Sequence, residues 1–104
     1  MKNKDFSNQN LQGADFRNTL SRYANFSGAN LRNANFSKQY LEGTNFSGAN
    51  LRNANFRGAD LRYADFRGAD LRNADFEGAD LRYANFSGAN FSGANFRVAN
   101  LQKN

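Results

Sequence analysis

The sequence predicts an all-β solenoid in which the chain winds in square coils of twenty residues, and three observations lead to this fold class. A Phe or Leu falls on every fifth position from Phe6 to Leu101, with Ser21 as the exception. A period of five is neither the two of a strand nor the 3.6 of a helix. Phe and Leu alternate, and the residues at the corners repeat after twenty positions, so four five-residue units close one turn.

Each position of the five-residue unit has a physical reason. The Phe or Leu and the Ala two positions before it are the only apolar pair, so both are expected to face inward, where Ala leaves room for the larger side chain. Asn or Asp stands between them and can hold a bend by bonding to nearby backbone. Gly or Asn commonly stands two positions after the large residue and tolerates positive φ. Each unit therefore predicts a short extended piece followed by a corner.

Stacked coils of twenty residues place the large residues in four columns, one on each side. Two Phe columns, which begin at Phe6 and Phe16, are expected to face each other across the core. The third side begins at Leu11, and the fourth begins at Ser21 and continues through Leu41. Each coil contacts only its neighbours, so three or more coils are needed for stability.

Composition limits the domain organisation and the expected location. The 104 residues suffice for one small domain, with repeats over about residues 4–103, and they include no Cys, His, Trp or Pro. Without Cys there is no disulfide from which to argue a compartment. Apolar residues never form a run longer than two, so we expect neither a membrane span nor a signal peptide, and the cytoplasm is the expected location.

The tandem A(D/N)LXX and A(D/N)FXX units, which extend over residues 6–101, resemble the pentapeptide-repeat family. The resemblance implies a right-handed quadrilateral β-helix, here of about five coils, with the central Phe or Leu and the Ala inside. Two outward sites, where the family has Asn or Asp, carry Leu20 and Tyr40 instead. The departures at inward sites are Lys4, Gln9, Thr19, Ser21, Gln39 and Thr44.

The usual parts of a catalytic site are missing from the sequence, so we expect a non-enzymatic protein without a cofactor. There is no His to act as a base and no Cys to attack a substrate or bind zinc. Ser residues fall in regular outward columns without an activating partner. The Asp residues from Asp60 to Asp80 form a ring that suggests Ca²⁺, but Arg residues are interleaved with them. Surface ion pairs are the favoured interpretation, and no metal site is predicted.

Three functions remain open at this stage. The first is a scaffold or protein-interaction surface with an unknown protein partner. The second, implied by the family resemblance, is a mimic of duplex DNA that binds DNA gyrase; a formal charge of +5 disfavours it, since a mimic needs a negative surface. The third is binding of nucleic acid or another anion by Arg and Tyr, although Arg columns also serve to keep a regular sheet-like surface soluble.

The fourth side carries most of the irregular units and all four Tyr residues. An exposed patch of aromatic and Arg side chains is typical of protein interfaces. The alternative is that Tyr only covers a corner by stacking on the Tyr one coil away. We name this candidate interaction surface the Tyr/Arg face; it consists of Leu20, Arg22, Tyr23, Tyr40, Arg62, Tyr63, Arg82 and Tyr83.

The last coil is apolar where the first is polar, which predicts a tail-to-tail homodimer. A terminal coil exposes its core and its unpaired edges. Contact of two such ends closes on a twofold axis, whereas head-to-tail contact would grow fibres. We name this surface the C-terminal apolar end; it consists of Phe86, Phe91, Phe96 and Leu101.

Two irregular residues of the fourth side are expected to compensate each other. Ser21 leaves a gap at a site suited to Leu, and Gln39 is too large for a site suited to Ala one coil away. A Gln39 side chain that fills the gap and bonds to the Ser21 hydroxyl would solve both problems. The alternative is a local bulge that turns Leu20 inward and Ser21 outward.

Overall fold

A computed structural model describes residues 4–19 and 21–102 of the chain. Within these two ranges there is neither a helix nor a strand of several residues; two-residue turns alternate with single residues in parallel β-bridges. Each bridge joins residues twenty positions apart, from Asp5 with Asn25 to Asp80 with Asn100. The period of twenty predicted from the sequence is therefore the repeat of the backbone.

In a regular unit that has a coil on either side, every N–H group has a partner, which explains the composition of the unit. The large residue and the residue two after it donate to carbonyls nineteen positions ahead, as Phe26 does to Asn45 at 2.7 Å. Each bridge residue donates to a carbonyl twenty-one positions back, and the Ala after each corner donates within its own unit, as Ala29 does to Phe26 at 3.1 Å. The remaining N–H, that of Ser27, donates to Oδ1 of Asn25 at 2.9 Å. Asn or Asp is thus needed at the bridge position to satisfy a backbone donor.

The corners lie in the left-handed region of φ. The residue two positions after each large residue has positive φ throughout the described chain, and Gly or Asn fills most of these sites. A bulky or β-branched residue there is uncommon, because its Cβ approaches the backbone too closely. The bulky exceptions are Tyr23, Lys38, Tyr63, Tyr83 and Val98.

The core consists of the predicted columns of large residues, lined by Ala. Phe rings twenty residues apart are stacked with centroids 4.8 to 5.3 Å apart. Rings of the two Phe columns meet edge to face at 5.2 to 6.2 Å, so the columns face each other as predicted. Such aromatic pairs each contribute about 0.5–1.5 kcal/mol beyond the burial of their area. The Leu residues without measurable exposure are Leu31, Leu41, Leu51, Leu61 and Leu71.

The expected compensation between Ser21 and Gln39 is wrong. Oε1 of Gln39 accepts the N–H of Asn18 at 3.1 Å, and its Nε2 donates to the carbonyl of Ser37 at 3.0 Å. Gln39 is long enough to reach these backbone groups at the partly exposed neighbouring corner, so it does not fill the gap. Ser21 is nevertheless buried, which also contradicts the bulge that would turn it outward, and its hydroxyl has no partner within the described residues.

The other inward departures differ in their burial. Thr44 is buried, and its Oγ1 donates to the carbonyl of Ser21 at 3.0 Å. Lys4 and Gln9 are exposed in the first coil, where no earlier coil covers them in the described chain. Across residues 4–19 and 21–102, we find no helix with the length and apolar character that crossing a membrane requires.

Candidate functional site

The structure places the described members of the Tyr/Arg face on one side of the solenoid. Tyr23, Tyr63 and Tyr83 occupy one column of corners, and Gly43 fills the position between the first two. The rings of Tyr63 and Tyr83 are stacked with centroids 5.0 Å apart and an angle of 5° between their planes. The four Tyr side chains are between 42 % and 57 % exposed, so the stack covers a corner and still presents aromatic surface to solvent.

Tyr40 lies at a bridge position and pairs with Asp60. The guanidinium carbon of Arg22 lies 5.7 Å from the centroid of the Tyr40 ring, within the range of a cation–π interaction. These two exposed side chains therefore form one surface cluster. Leu20, which the sequence placed beside them, lies outside the residues that the structure describes.

Two further Arg residues of the face are fixed by aspartates of their own units. Nε and Nη2 of Arg62 both donate to the Asp60 carboxylate at 2.9 Å, and Arg62 also lies 3.5 Å from Oε1 of Glu42. Arg82 binds Asp80 in the same way, at 2.9 and 2.7 Å. The bonds from Arg62 and Arg82 lower the pKa of the Asp60 and Asp80 carboxyls below the ordinary value. The guanidinium groups are thus held in place, and their charges are offset.

The Tyr residues occupy positions that the repeat itself disfavours. Tyr23, Tyr63 and Tyr83 have φ of 61° to 64°, where a bulky side chain is rare. The Tyr40 side chain has no acceptor where Asn or Asp has Oδ1, and the N–H of Glu42 has no hydrogen-bond acceptor within the described residues. The other described units carry Asn or Asp at this position, and in each of them its Oδ1 receives the N–H of the residue two positions later, from Asp5 to Asn100. Strained or unsatisfied positions of this kind persist where another requirement outweighs their cost.

The C-terminal apolar end forms an open hollow. Phe91 and Leu101 are 49 % and 53 % exposed, while Phe86 and Phe96 are partly buried. Together these four side chains line a hollow of about 260 Å³. The structure thus brings all four predicted residues together, and their surface is apolar.

The acidic residues of the ring from Asp60 to Asp80 bind Arg side chains. Four of the five bind the Arg two positions later, and the fifth, Asp75, binds Arg57 of the previous coil at 2.9 Å. Nowhere in the described ranges do three His, Cys, Asp or Glu residues come together as metal ligands would. Ion pairs were predicted here from the sequence, but this regular pairing was not, although the recurring D-x-R spacing is its signal.

One exposed residue was not singled out from the sequence. Val98 is 84 % exposed and has a φ of 49°, which is rare for a β-branched residue. Its signal is the presence of Val at a corner position where the neighbouring coils carry Gly58 and Gly78.

Comparison with known proteins identifies the repeat. The family model for pentapeptide repeats matches eight copies, over residues 3–37, 40–78 and 59–97. The chain belongs to the pentapeptide-repeat family. The solved pentapeptide-repeat proteins that it resembles imply a right-handed quadrilateral β-helix, as the sequence analysis expected. A search of curated proteins gave no significant match.

The chain is similar to HetL, with a TM-score of 0.85 and 34 % identity. HetL is a pentapeptide-repeat protein involved in the regulation of heterocyst differentiation in the cyanobacterium Nostoc sp. strain PCC 7120. The match covers 92 % of this pentapeptide-repeat chain but only 46 % of HetL, so the chain spans less than half of that protein. A pentapeptide-repeat protein of the Arabidopsis thaliana thylakoid lumen has 34 % identity and a TM-score of 0.55, with 94 % and 72 % of the two chains covered.

A more distant structure shares the fold alone. QnrB1, a plasmid-mediated fluoroquinolone resistance protein, has 23 % identity and a TM-score of 0.60, and the match covers 98 % of this chain and 67 % of QnrB1. At this identity, the likeness shows only that both chains adopt the pentapeptide-repeat fold.

Proposed function

We propose that the chain is a non-enzymatic pentapeptide-repeat scaffold of about five coils that binds a protein partner through the Tyr/Arg face. The observation that carries this proposal is the placement of exposed Tyr side chains at positions where the repeat would be more stable with Asn, Asp or Gly. Tyr and Arg are the residues most enriched among those that dominate binding energy at protein interfaces. Large, fixed aromatic rings also lose little conformational entropy on binding.

The arrangement of the face supports recognition of a protein surface. The Tyr63 and Tyr83 rings are stacked, and Arg62 and Arg82 are held by carboxylates, so the surface is ordered before a partner arrives. Preorganised side chains reduce the entropic cost of association. HetL, the similar cyanobacterial protein, is involved in regulation, which is consistent with a role in binding another protein.

The test is a comparison of partner capture by three forms of the protein from a lysate of the native organism. In the first variant, Tyr40, Tyr63 and Tyr83 are each replaced by Asn, which the repeat uses at equivalent positions. The matched control replaces Asn33, Asn53 and Asn73 by Gly. These three residues occupy the same position of the five-residue unit as Tyr63 and Tyr83, but they lie half a coil away from the Tyr column. Proteins captured by the wild type and the control but not by the Tyr variant would support the proposal. Equal capture by all three forms would contradict it.

The gyrase-binding DNA mimic remains the alternative, and the charge distribution argues against it. A mimic needs rows of uncompensated negative charge. Asp60, Asp65, Asp70 and Asp80 each bind an Arg of the same unit, and the whole chain carries +5. Inhibition of gyrase supercoiling by the purified protein at low micromolar concentration would favour the mimic and contradict the proposed role.

We also infer that two copies of the 104-residue chain associate tail to tail through the C-terminal apolar end. The hollow between Phe86, Phe91, Phe96 and Leu101 has an apolar lining. The remaining residues of the last coil are mostly uncharged, with Asn and Ser the commonest polar types. A surface with little charge has no repulsion to overcome when it meets its own copy. The contact is isologous and closes on itself.

A further inference from the structure

Five Arg residues of the chain form the same bidentate bond with an Asp two positions earlier. In the unit of Arg72, Nε and Nη2 donate to the Asp70 carboxylate at 2.9 and 2.6 Å. Asp70 Oδ1 also accepts the N–H of Arg72 at 3.3 Å, so one carboxylate serves both the backbone and the guanidinium. The five Arg residues with this bond are Arg17, Arg62, Arg67, Arg72 and Arg82.

Arg32 and Arg52 lie in the same column as Arg72 but lack this bond, because Asn30 and Asn50 replace the Asp. Each Asn still accepts the N–H of its Arg at 3.3 Å, so the backbone is unchanged. Within the described chain, no acidic side chain lies within ion-pair distance of Arg32. Arg52 Nε lies 3.7 Å from a carboxylate, that of Asp70, which Arg72 already binds.

The consequence is a pair of guanidinium groups with unused donors. Nε of Arg32 and Nε of Arg52 are both buried and have no hydrogen-bond partner in the described part of the chain. A buried donor without an acceptor is unfavourable, and it is among the groups of a native protein that require an explanation. On the third side, Arg32, Arg52 and Arg72 lie in one column. The carboxylate of Asp70 is the one acidic group beside them in the described chain, so this part of the surface carries a net charge of +2.

The geometry points to a binding site for an acidic helical segment of a partner protein at this pair, which we name the Arg32/Arg52 surface. The bridge between Asn30 and Asn50 places the two Arg residues in adjacent coils, about 4.8 Å apart at β spacing. Carboxylates three or four residues apart on a helix have Cβ atoms about 5–6 Å apart, which matches this spacing. Nε is buried, but no Nη atom of Arg32 or Arg52 is buried or hydrogen-bonded within the described residues, so each carboxylate would accept its bonds from these accessible Nη groups.

The surroundings of the Arg32/Arg52 surface favour a polypeptide over nucleic acid. Proteins that bind single strands combine basic side chains with aromatic rings on which the bases stack. The Tyr column lies half a coil away, and the exposed corners beside the Arg pair are Asn33 and Asn53. This surface is therefore independent of the Tyr/Arg face, and either can fail without the other.

The test measures binding of a fluorescein-labelled Ala-rich helical peptide that carries Glu pairs four residues apart, by anisotropy at low and moderate salt. In the key variant, N30D is combined with N50D, which supplies the internal carboxylates that Arg72 has in Asp70. The peptide should then bind at least about tenfold more weakly, since its charge-assisted bonds are replaced internally. The matched control combines N25D with N45D, which adds the same charge where Ser27 and Ser47 follow, and it should bind nearly as well as the wild type.

Two further measurements complete the test. The Nη–H signals of the Arg32 and Arg52 guanidinium groups in NMR spectra should shift on addition of the peptide, whereas those of Arg62 should not. A peptide with Gln in place of Glu should not bind. The inference is overturned if the wild type binds no Glu peptide, if both double variants weaken binding equally, or if single-stranded or duplex DNA binds more tightly than the peptide.

Discussion

The ring of Tyr23 lies directly over Gly43, one coil along the chain, and a Cβ atom at residue 43 would come within 2.5 Å of that ring. Gly43 has a φ of 68°, so two separate factors exclude other residues there. We expect Gly43→Ala to lower the free energy of unfolding by about 2 kcal/mol, of which about 1 kcal/mol comes from the left-handed φ. Urea unfolding followed by circular dichroism measures the change.

The matched control for this substitution is Gly68→Ala. Gly68 has a φ of 67°, but a Cβ at that residue would meet nothing within 4 Å. Gly68→Ala should therefore lower the free energy of unfolding by only about 1 kcal/mol, the cost of placing Ala at a left-handed φ. Equal losses in the two variants would show that the Tyr23 ring moves aside without cost.

Tyr40 occupies a bridge position at the expense of a backbone hydrogen bond. Replacement by Asn should restore a bond to the Glu42 N–H and raise the free energy of unfolding by about 1 kcal/mol. Loss of the contact with Arg22 offsets about 0.5 kcal/mol of this gain. The full gain should thus be seen in an Arg22→Gln background, and a double-mutant cycle separates the two effects. A loss of stability in that background would show that the Tyr40 ring stabilises the fold itself.

The aspartates bound by Arg predict a loss of stability in acid. Hydrogen bonds from Arg17 hold the pKa of Asp15 at about 2, and bonds from the neighbouring Arg lower the pKa of four other Asp residues below 3.8. A carboxyl with a lowered folded-state pKa stabilises the fold above its unfolded-state pKa, and the stabilisation disappears as the pH falls through the folded-state pKa. The free energy of unfolding should therefore be constant near neutrality and fall between about pH 4 and about pH 2.

A variant with Asn in place of four of these five carboxylates, all but that of Asp15, is the control for the acid effect. Asn already stands at the equivalent position in many units, so the backbone bond is kept. Urea unfolding of this variant should show a much smaller decline in stability between about pH 4 and about pH 2. An unchanged decline would assign the acid sensitivity to other groups. The replaced residues are Asp60, Asp65, Asp70 and Asp80.

The Ser21 hydroxyl is buried and has no hydrogen-bond partner among residues 4–19 and 21–102. Ser21→Ala removes its desolvation penalty and brings back an apolar side chain, so the free energy of unfolding should rise by about 1 kcal/mol. Thermal unfolding by calorimetry measures the effect. Ser47→Ala, at a partly exposed site, should change stability by less than about 0.5 kcal/mol. A destabilised Ser21→Ala variant would mean that the hydroxyl has a hydrogen-bond partner in solution.

The proposed tail-to-tail contact is tested by the mass of the protein in solution. Light scattering across a concentration series should show a dimer that Phe91→Arg converts to a monomer, because a charge in an apolar contact has no partner. Val98→Arg is the control, since Val98 is exposed but does not line the hollow. A wild type that stays monomeric at high concentration would contradict the association.

The sequence was informative because the repeat is local and the same unit recurs. Inward and outward positions follow from the apolar pattern, and the stacking of Phe6 on Phe26 follows from a period of twenty. A one-residue change of register would bury Asn or Asp in every unit, so burial fixes the register throughout. The facing Phe columns and the grouping of the Tyr residues on one side were therefore predictable from the sequence.

Only the tertiary structure decided which partner each long polar side chain takes. Gln39 turns to backbone groups near Asn18 although Ser21 was the expected partner, and Arg57 reaches Asp75 in the next coil. In the solenoid, a long outward side chain has groups of its own coil and of both neighbouring coils within reach. The choice among them depends on rotamers and on differences of a few tenths of an ångström between backbones twenty residues apart. The periodic sequence determined the stack itself, but the unused donors of Arg32 and Arg52 were visible only once the coils were placed on one another.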